Sequence, residues 1–174
     1  AAAVFHGLDQ LFDLGMSLEQ MQGMGVKIGA DVPYCIMGGT ALSEGIGEVL
    51  TALAPPPACT LLIARPDISV STKLVYENLH ADKLTKHPDI DGMIGAIRER
   101  NLAGITERME NVLETVTVKA YPVIQQIKKA MLDKGAENAL MSGSGPTVFG
   151  IFKEDRTGKE ALEEIKKQGL ASQV

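Results

Sequence analysis

Ala54-Pro55-Pro56-Pro57-Ala58 interrupts the chain after its first third. Three consecutive prolines offer no backbone N–H and hold φ near roughly −65°, so neither a helix interior nor a central strand can run through them. Secondary structure on the two sides must therefore be built separately, and we place a domain boundary there, giving 1–57 and 58–174. At 174 residues the chain is long enough to bury a core, and with 45% apolar but only 4% aromatic residues and no Trp that core must be aliphatic. The net charge of −5 argues against a general nucleic-acid or anionic-membrane role, both of which need a basic face. A local basic pocket for one small phosphorylated ligand is compatible with it. No apolar run approaches the ~20 residues that span a bilayer, and no charged segment followed by an apolar one opens the chain, so a cytoplasmic protein without membrane partners is expected.

Val4, Leu8 and Leu11 recur at helical spacing from the first residues onward, without a starting Met or an N-cap, and Gly15 is the expected stop. Ser17-Leu18-Glu19-Gln20 has the capping-box pattern for a second, short helix limited by Gly23 and Gly25. Strands are expected over Gly39–Leu42, Glu48–Leu53 and Cys59–Ala64, the last ending at Arg65-Pro66. Ser71-Thr72 can cap a helix reaching Asn78, and Pro88-Asp89 precedes a second with Ile90, Met93, Ile94 and Ile97 on one face. A third is expected from Asn101 to about Val112. A fourth opens at Tyr121-Pro122, carries Ile124, Ile127 and Met131, and stops at Gly135. Ala139–Met141, a turn at Gly143-Ser144-Gly145, a strand Thr147–Phe152 and a charged helix from about Gly158 to Gln168 complete the chain. Strands separated by helices, with a hairpin at the Gly-Ser-Gly turn, predict an antiparallel sheet covered by helices, α+β in class.

Two segments could carry chemistry. In Ile28-Gly29-Ala30-Asp31-Val32-Pro33, followed by Gly38-Gly39 and Glu44-Gly45-Ile46-Gly47-Glu48, one carboxylate is framed by glycines and a proline, which together fix its aim. Asp31 can cap the short apolar helix Val32–Met37, or it can be a reacting group; the segment by itself leans to the cap, and the two roles can coexist. In Ser142-Gly143-Ser144-Gly145-Pro146-Thr147, consecutive amides in a glycine-rich bend can cradle an anion, although such a sequence alone is more commonly a plain hairpin turn. Neither segment is a P-loop or a dinucleotide fingerprint. Two glycine motifs in one chain shift the balance toward a phosphate-handling cleft, with Asp31 as candidate base or magnesium contact. Cys35 and Cys59 lack metal-site or disulfide spacing and read as buried free thiols; His6, His80 and His87 lack ligand spacing, so no metal site built on side-chain clusters is expected.

The order of these motifs, joined by Val70-Ser71-Thr72 with Val75-Tyr76 and closed by Leu140-Met141-Ser142-Gly143-Ser144-Gly145-Pro146-Thr147-Val148-Phe149, resembles the GHMP small-molecule kinases over essentially the whole chain. The pairing of the Gly29–Pro33 segment with Glu44–Glu48 resembles most the member that acts on a cytidine diphosphate-linked methylerythritol in non-mevalonate isoprenoid synthesis. The resemblance implies a remnant of the N-terminal (ribosomal protein S5 domain 2-like) domain, followed by a ferredoxin-like C-terminal domain. It also implies transfer of the ATP γ-phosphoryl group to the 2-hydroxyl of the small-molecule substrate, with ATP and Mg2+ as cofactors. Asp31 matches the catalytic aspartate, which accepts or orients the hydroxyl proton. Tyr76 matches the aromatic residue set against the cytosine ring, its alternative being a core-packing residue of a helix face. Ile46 and Thr72 would border the substrate, while Gly143, Ser144 and Gly145 would shape the ATP site.

The family carries, ahead of the matched region, a strand with a catalytic Lys and a phosphate loop, GGGSS, running into a helix that Ala1-Ala2-Ala3 resembles in continuation. The expectation is that the chain lacks those parts and is weak or inactive alone. Other GHMP kinases, for homoserine, mevalonate or galactose, are the nearest alternative, and a non-catalytic ferredoxin-like ligand-binding domain is the alternative of another class. The oligomeric state is not readable from the residues.

Overall fold

A computed structural model describes residues 1–80 and 87–174. The chain divides into two units, Ala1–Pro56 and Pro57–Val174. In the first, helices α1 (Ala2–Phe12), α2 (Leu18–Gly25) and α3 (Val32–Met37) precede an antiparallel hairpin of β1 (Thr40–Glu44) and β2 (Val49–Leu53). The capping box at Ser17 is present: the Gln20 N–H donates to Ser17 Oγ at 3.1 Å, and the Ser17 N–H donates to Gln20 Oε1 at 2.9 Å. α1 ends before the expected Gly15, because Asp13 itself takes the left-handed conformation at φ 50° and returns its N–H to the Asp9 carbonyl. Met21, Pro33 and Ile36 are buried between α2 and α3. Their close approach needs Gly25, where a Cβ would stand 2.9 Å from both Ile36 Cδ1 and Val32 Cγ1. Val4, Leu8 and Leu11 do share the predicted helix face, but all three are exposed.

A second contact of this kind links the two halves of the Asp31 motif. The β1–β2 turn is Gly45-Ile46-Gly47-Glu48, with the Gly47 N–H donating to the Glu44 carbonyl at 3.1 Å and the Ile46 N–H to Glu48 Oε2 at 2.7 Å. Gly47 has φ 120°, and a Cβ placed on it would lie 3.0 Å from the Ala30 carbonyl oxygen. The turn therefore sits against the peptide that leads into Asp31.

The second unit contains β3 (Thr60–Ala64), α4 (Thr72–Asn78), α5 (Ile90–Arg98), α6 (Leu102–Glu107), α7 (Glu114–Ala120), α8 (Val123–Asp133), β4 (Asn138–Met141), β5 (Val148–Phe152) and α9 (Asp155–Lys167). The strands form an antiparallel sheet in the order β3-β5-β4. Next to β3, Gln173 pairs antiparallel with Arg65, so the chain's last residues lie where a ferredoxin-like sheet has its fourth strand. Alternation puts Leu62, Ala64, Ala139, Met141, Val148 and Phe152 on the face that packs with Ile124, Ile127 and Met131 of α8 and Ala161 and Ile165 of α9. Gly150, central in the sheet, leaves room for Met131, whose sulfur would be 2.9 Å from an added Cβ.

The helix expected over Asn101–Val112 stops at Glu107, and α7 lies in a segment for which no helix was expected. Thr115-Val116-Thr117-Val118 is β-branched throughout, a composition that intrinsically disfavours helix. Tertiary contacts override it: Thr117 is fully buried and hydrogen-bonded, and Leu113 just ahead of the helix joins the core. The last helix begins at Asp155, a turn ahead of Gly158. The cysteines are free but not buried as expected; Cys35 is exposed and Cys59 half-buried, because α3 turns its Pro33–Ile36 face inward and Cys35 away.

Two outcomes follow from the packing. Ile127→Ala removes a fully buried side chain from the α8–sheet contact and should cost about 2–5 kcal/mol in urea unfolding. Gly47→Ala forces a Cβ onto a positive φ and against the Ala30 carbonyl, so the Ala1–Pro56 unit should lose about 1–3 kcal/mol and the Ala30 and Asp31 amide resonances should shift; unchanged spectra would show that the contact is not made in solution.

Candidate functional site

Asp31 stands at the N-cap position of α3, with Pro33 in the first turn, yet its side chain makes no capping bond. Its backbone carbonyl accepts the Cys35 N–H at 3.1 Å, leaving the carboxylate exposed and without a hydrogen-bond or ion-pair partner among the described residues. The leaning toward a cap is thereby corrected. At φ −83° and ψ −10° the residue is already helical, which turns its side chain away from the amides an extended N-cap residue would reach. Asp31, Tyr34, Gly39, Thr40, Ala41, Ser43 and Gly47 line a shallow cavity of about 320 Å3. Its walls are set by short-range bonds: the Tyr34 hydroxyl donates to the Gly39 carbonyl at 2.8 Å and the Ser43 hydroxyl to the Gly47 carbonyl at 3.1 Å. Ile46, at the tip of the same turn, does not line the cavity and is 71% exposed. Such a site offers one unengaged carboxylate, rigidly mounted, beside a small polar hollow.

In the second unit the structure brings α4 and the β4–β5 turn together. Ser71 caps α4, accepting the Leu74 N–H at 3.4 Å, and Thr72 Oγ1 lies 2.8 Å from Ser144 Oγ, within hydrogen-bond distance. Tyr76 lies one turn along the same helix and is 60% exposed, so it is not the core-packing aromatic of the alternative reading. The turn itself combines Gly143 at φ 55° and Gly145 at φ 88°, and the Gly145 N–H closes it onto the Ser142 carbonyl at 3.0 Å. It is both the expected hairpin and a bend with two donors to spare, because the Gly143 and Ser144 N–H groups bond to nothing among the described residues.

Three polar residues supporting this turn carry no motif and escape sequence reasoning. Asn111 donates from Nδ2 to the Met141 and Gly143 carbonyls, both at 2.8 Å. Glu114 Oε1 accepts the Met141 N–H at 2.7 Å while its Oε2 pairs with Lys128 at 2.5 Å, and Thr117 Oγ1 donates to the Ser144 carbonyl at 3.1 Å. Their spacing of three was the available signal. Among the described residues no group of three or more His, Cys, Asp or Glu is placed to hold a metal ion, and no helix is long and apolar enough to cross a membrane.

The family model for the C-terminal domain of GHMP kinases matches residues 93–171. The chain is 55% identical over 166 residues to 4-diphosphocytidyl-2-C-methyl-D-erythritol kinase of Lachnoclostridium phytofermentans, covering 95% of this chain and 57% of the relative. It is 52% identical over 174 residues to the kinase of the same name from Lachnospira eligens, covering all of this chain and 60% of the relative. The chain thus spans less than two thirds of the length of these curated relatives. A crystal structure of a 4-(cytidine 5'-diphospho)-2C-methyl-D-erythritol kinase superposes with a TM-score of 0.79 at 27% identity, over 96% of this chain and 59% of that one. A homoserine kinase from Cytophaga hutchinsonii shares the fold at 22% identity, TM-score 0.73, over 92% of this chain and 56% of that one. Residues 93–171 thus match the C-terminal domain of GHMP kinases, and the chain along its length is similar to kinases of that family.

Proposed function

We propose that this chain serves ATP-dependent phosphorylation of an alcohol, the 2-hydroxyl of 4-diphosphocytidyl-2-C-methyl-D-erythritol, in a cytoplasmic enzyme of the non-mevalonate isoprenoid pathway. The observation that carries the reading is the Asp31 carboxylate: exposed, free of partners among the described residues, and fixed at a helix start by glycine contacts, in a chain more than half identical to kinases of that name. A base must reach the proton it takes and must not be spent on a structural bond, and Asp31 meets both conditions. It accepts or orients the proton of the attacking hydroxyl as the oxygen closes on the γ-phosphorus. Phosphoryl transfer otherwise rests on positioning and on balancing phosphate charge.

Tyr76, with its ring accessible on α4, stacks on the cytosine, and Thr72 and Ile46 border the substrate. Gly143, Ser144 and Gly145 shape the ATP site, with the Gly143 and Ser144 amides, unengaged among the described residues, available to phosphate oxygens. The donor set fits Mg2+ only as a nucleotide-borne ion. Asp31 can contribute one carboxylate oxygen and the phosphates the rest, which is how Mg2+ is commonly held. When bound it neutralises phosphate charge.

The full reading frame that encodes the chain is the material for the test. Asp31→Asn should lower kcat by roughly 100-fold or more, the scale of a lost general base, with KM for ATP within about threefold. An unchanged kcat would remove Asp31 from the chemistry, whereas a wild-type protein without turnover would favour a non-catalytic binding domain. Tyr76→Ala should raise KM for the cytidine substrate roughly 5- to 150-fold, equivalent to the ~1–3 kcal/mol of a stacked base, and leave KM for ATP unaltered. Equal effects on both KM values would place Tyr76 elsewhere.

A further inference from the structure

Asn111, Glu114 and Thr117 recur every third residue, and each bonds to the backbone of the Met141–Ser144 stretch. Ordinary packing would not require this. A β-hairpin turn is satisfied by its own ladder, and here the Ser142 N–H already reaches the Thr147 carbonyl at 2.8 Å. The three side chains instead take the carbonyls of Met141, Gly143 and Ser144 and the N–H of Met141. A planar trans peptide directs its N–H opposite to its carbonyl. With the Gly143 carbonyl drawn to Asn111, the Ser144 N–H of the same peptide must point away from Asn111, and it has no partner among the described residues. The next peptide is fixed likewise, with its carbonyl on Thr117 and its N–H, from Gly145, on Ser142.

The support is itself stiff. Thr117 is wholly buried, and the Glu114 and Lys128 side chains are only 18% and 13% exposed. Lys128 belongs to α8 and flanks the Ile124 and Met131 face that packs on the sheet, so the pair ties the turn to the core. We propose that Asn111, Glu114 and Thr117 are positioning residues for phosphoryl transfer, which aim the free Ser144 N–H at a phosphate oxygen of the nucleotide. This rests on the kinase reading above. None of the three touches the reactants; each acts through the Ser142–Gly145 backbone.

Two nearly isosteric variants separate this role from general stability. Asn111→Asp replaces two donated hydrogen bonds by a carboxylate facing two carbonyls, Thr117→Val deletes one hydroxyl, and Thr117→Ser keeps it. Amide exchange on the 174-residue chain should quicken at least tenfold at Met141, Ser142 and Gly145 in Asn111→Asp and Thr117→Val, with Leu62 in β3 unchanged. Unaltered exchange at the turn, or equal acceleration at Leu62, overturns the clamp. In the full reading frame, kcat should fall at least tenfold in both variants with KM for the alcohol within about threefold, and Thr117→Ser should return kcat to within about threefold of wild type. Loosened exchange with wild-type kcat overturns the positioning role, as does a loss in Thr117→Ser equal to that in Thr117→Val. A wild-type protein without ATP-dependent phosphorylation fails the kinase reading and with it the positioning role, while the exchange result still decides whether the clamp exists.

Discussion

Met131 of α8 occupies the space that a side chain on Gly150 would fill, and the architecture of the Pro57–Val174 unit depends on that approach. Gly150 faces Leu62 on one neighbour strand and Ala139 on the other, so the helix comes down on the middle of the three-stranded sheet. Once α8 is seated, Ile124 and Ile127 bury completely, and Lys128, one turn on from Ile124, is carried to Glu114. The ion pair holds α7 beside the end of β4, where Asn111 and Thr117 meet the turn. Aliphatic packing and the polar support of the loop are thus one construction, stiff because interiors are close-packed and a displaced helix would open a void.

The Ala1–Pro56 unit reaches a similar end with less core. Only a few side chains, among them Met21, Pro33 and Ile36, are buried, and two glycine approaches do the positioning: Gly25 against Val32 and Ile36, and Gly47 against the Ala30 carbonyl. The His6 ring adds a 3.0 Å hydrogen bond to the Ile36 carbonyl, tying α1 to the end of α3. Asp31 is held from both sides through its backbone, which leaves its carboxylate unspent. A carboxylate that caps a helix is partly neutralised by amides; one free of them is available to a proton or a cation.

Much of this was legible in the residues. The Ser17–Gln20 box, the Ile124-Ile127-Met131 stripe and the Gly-Ser-Gly hairpin are local patterns whose geometry follows from spacing alone, and each appears where expected. α7 was not legible, because Thr115 to Val118 carry strand-like propensity and turn helical only through burial of Thr117 and contacts to a loop 27 residues away. The Asp31 cap failed for a related reason. Residue type and position favour a cap, but φ and ψ at that residue are set by the Gly29–Asp31 bend and the turn resting on it. Cys35 illustrates the limit of composition: cysteines are commonly buried, yet a six-residue helix has only one inward face.

The α+β class, the proline break, most helices and strands, and the order of motifs that resembles the GHMP kinases are all readable from the residues alone. These depend on near neighbours and on periodicity, which the chain carries locally. It took the folded chain to show that Asp31 makes no capping bond, that Tyr76 is exposed, that Thr72 meets Ser144, and that Asn111, Glu114 and Thr117 grip the turn. Each of those outcomes is a meeting of residues or a burial that spacing does not encode, and it exists only once the helices have been placed by the core.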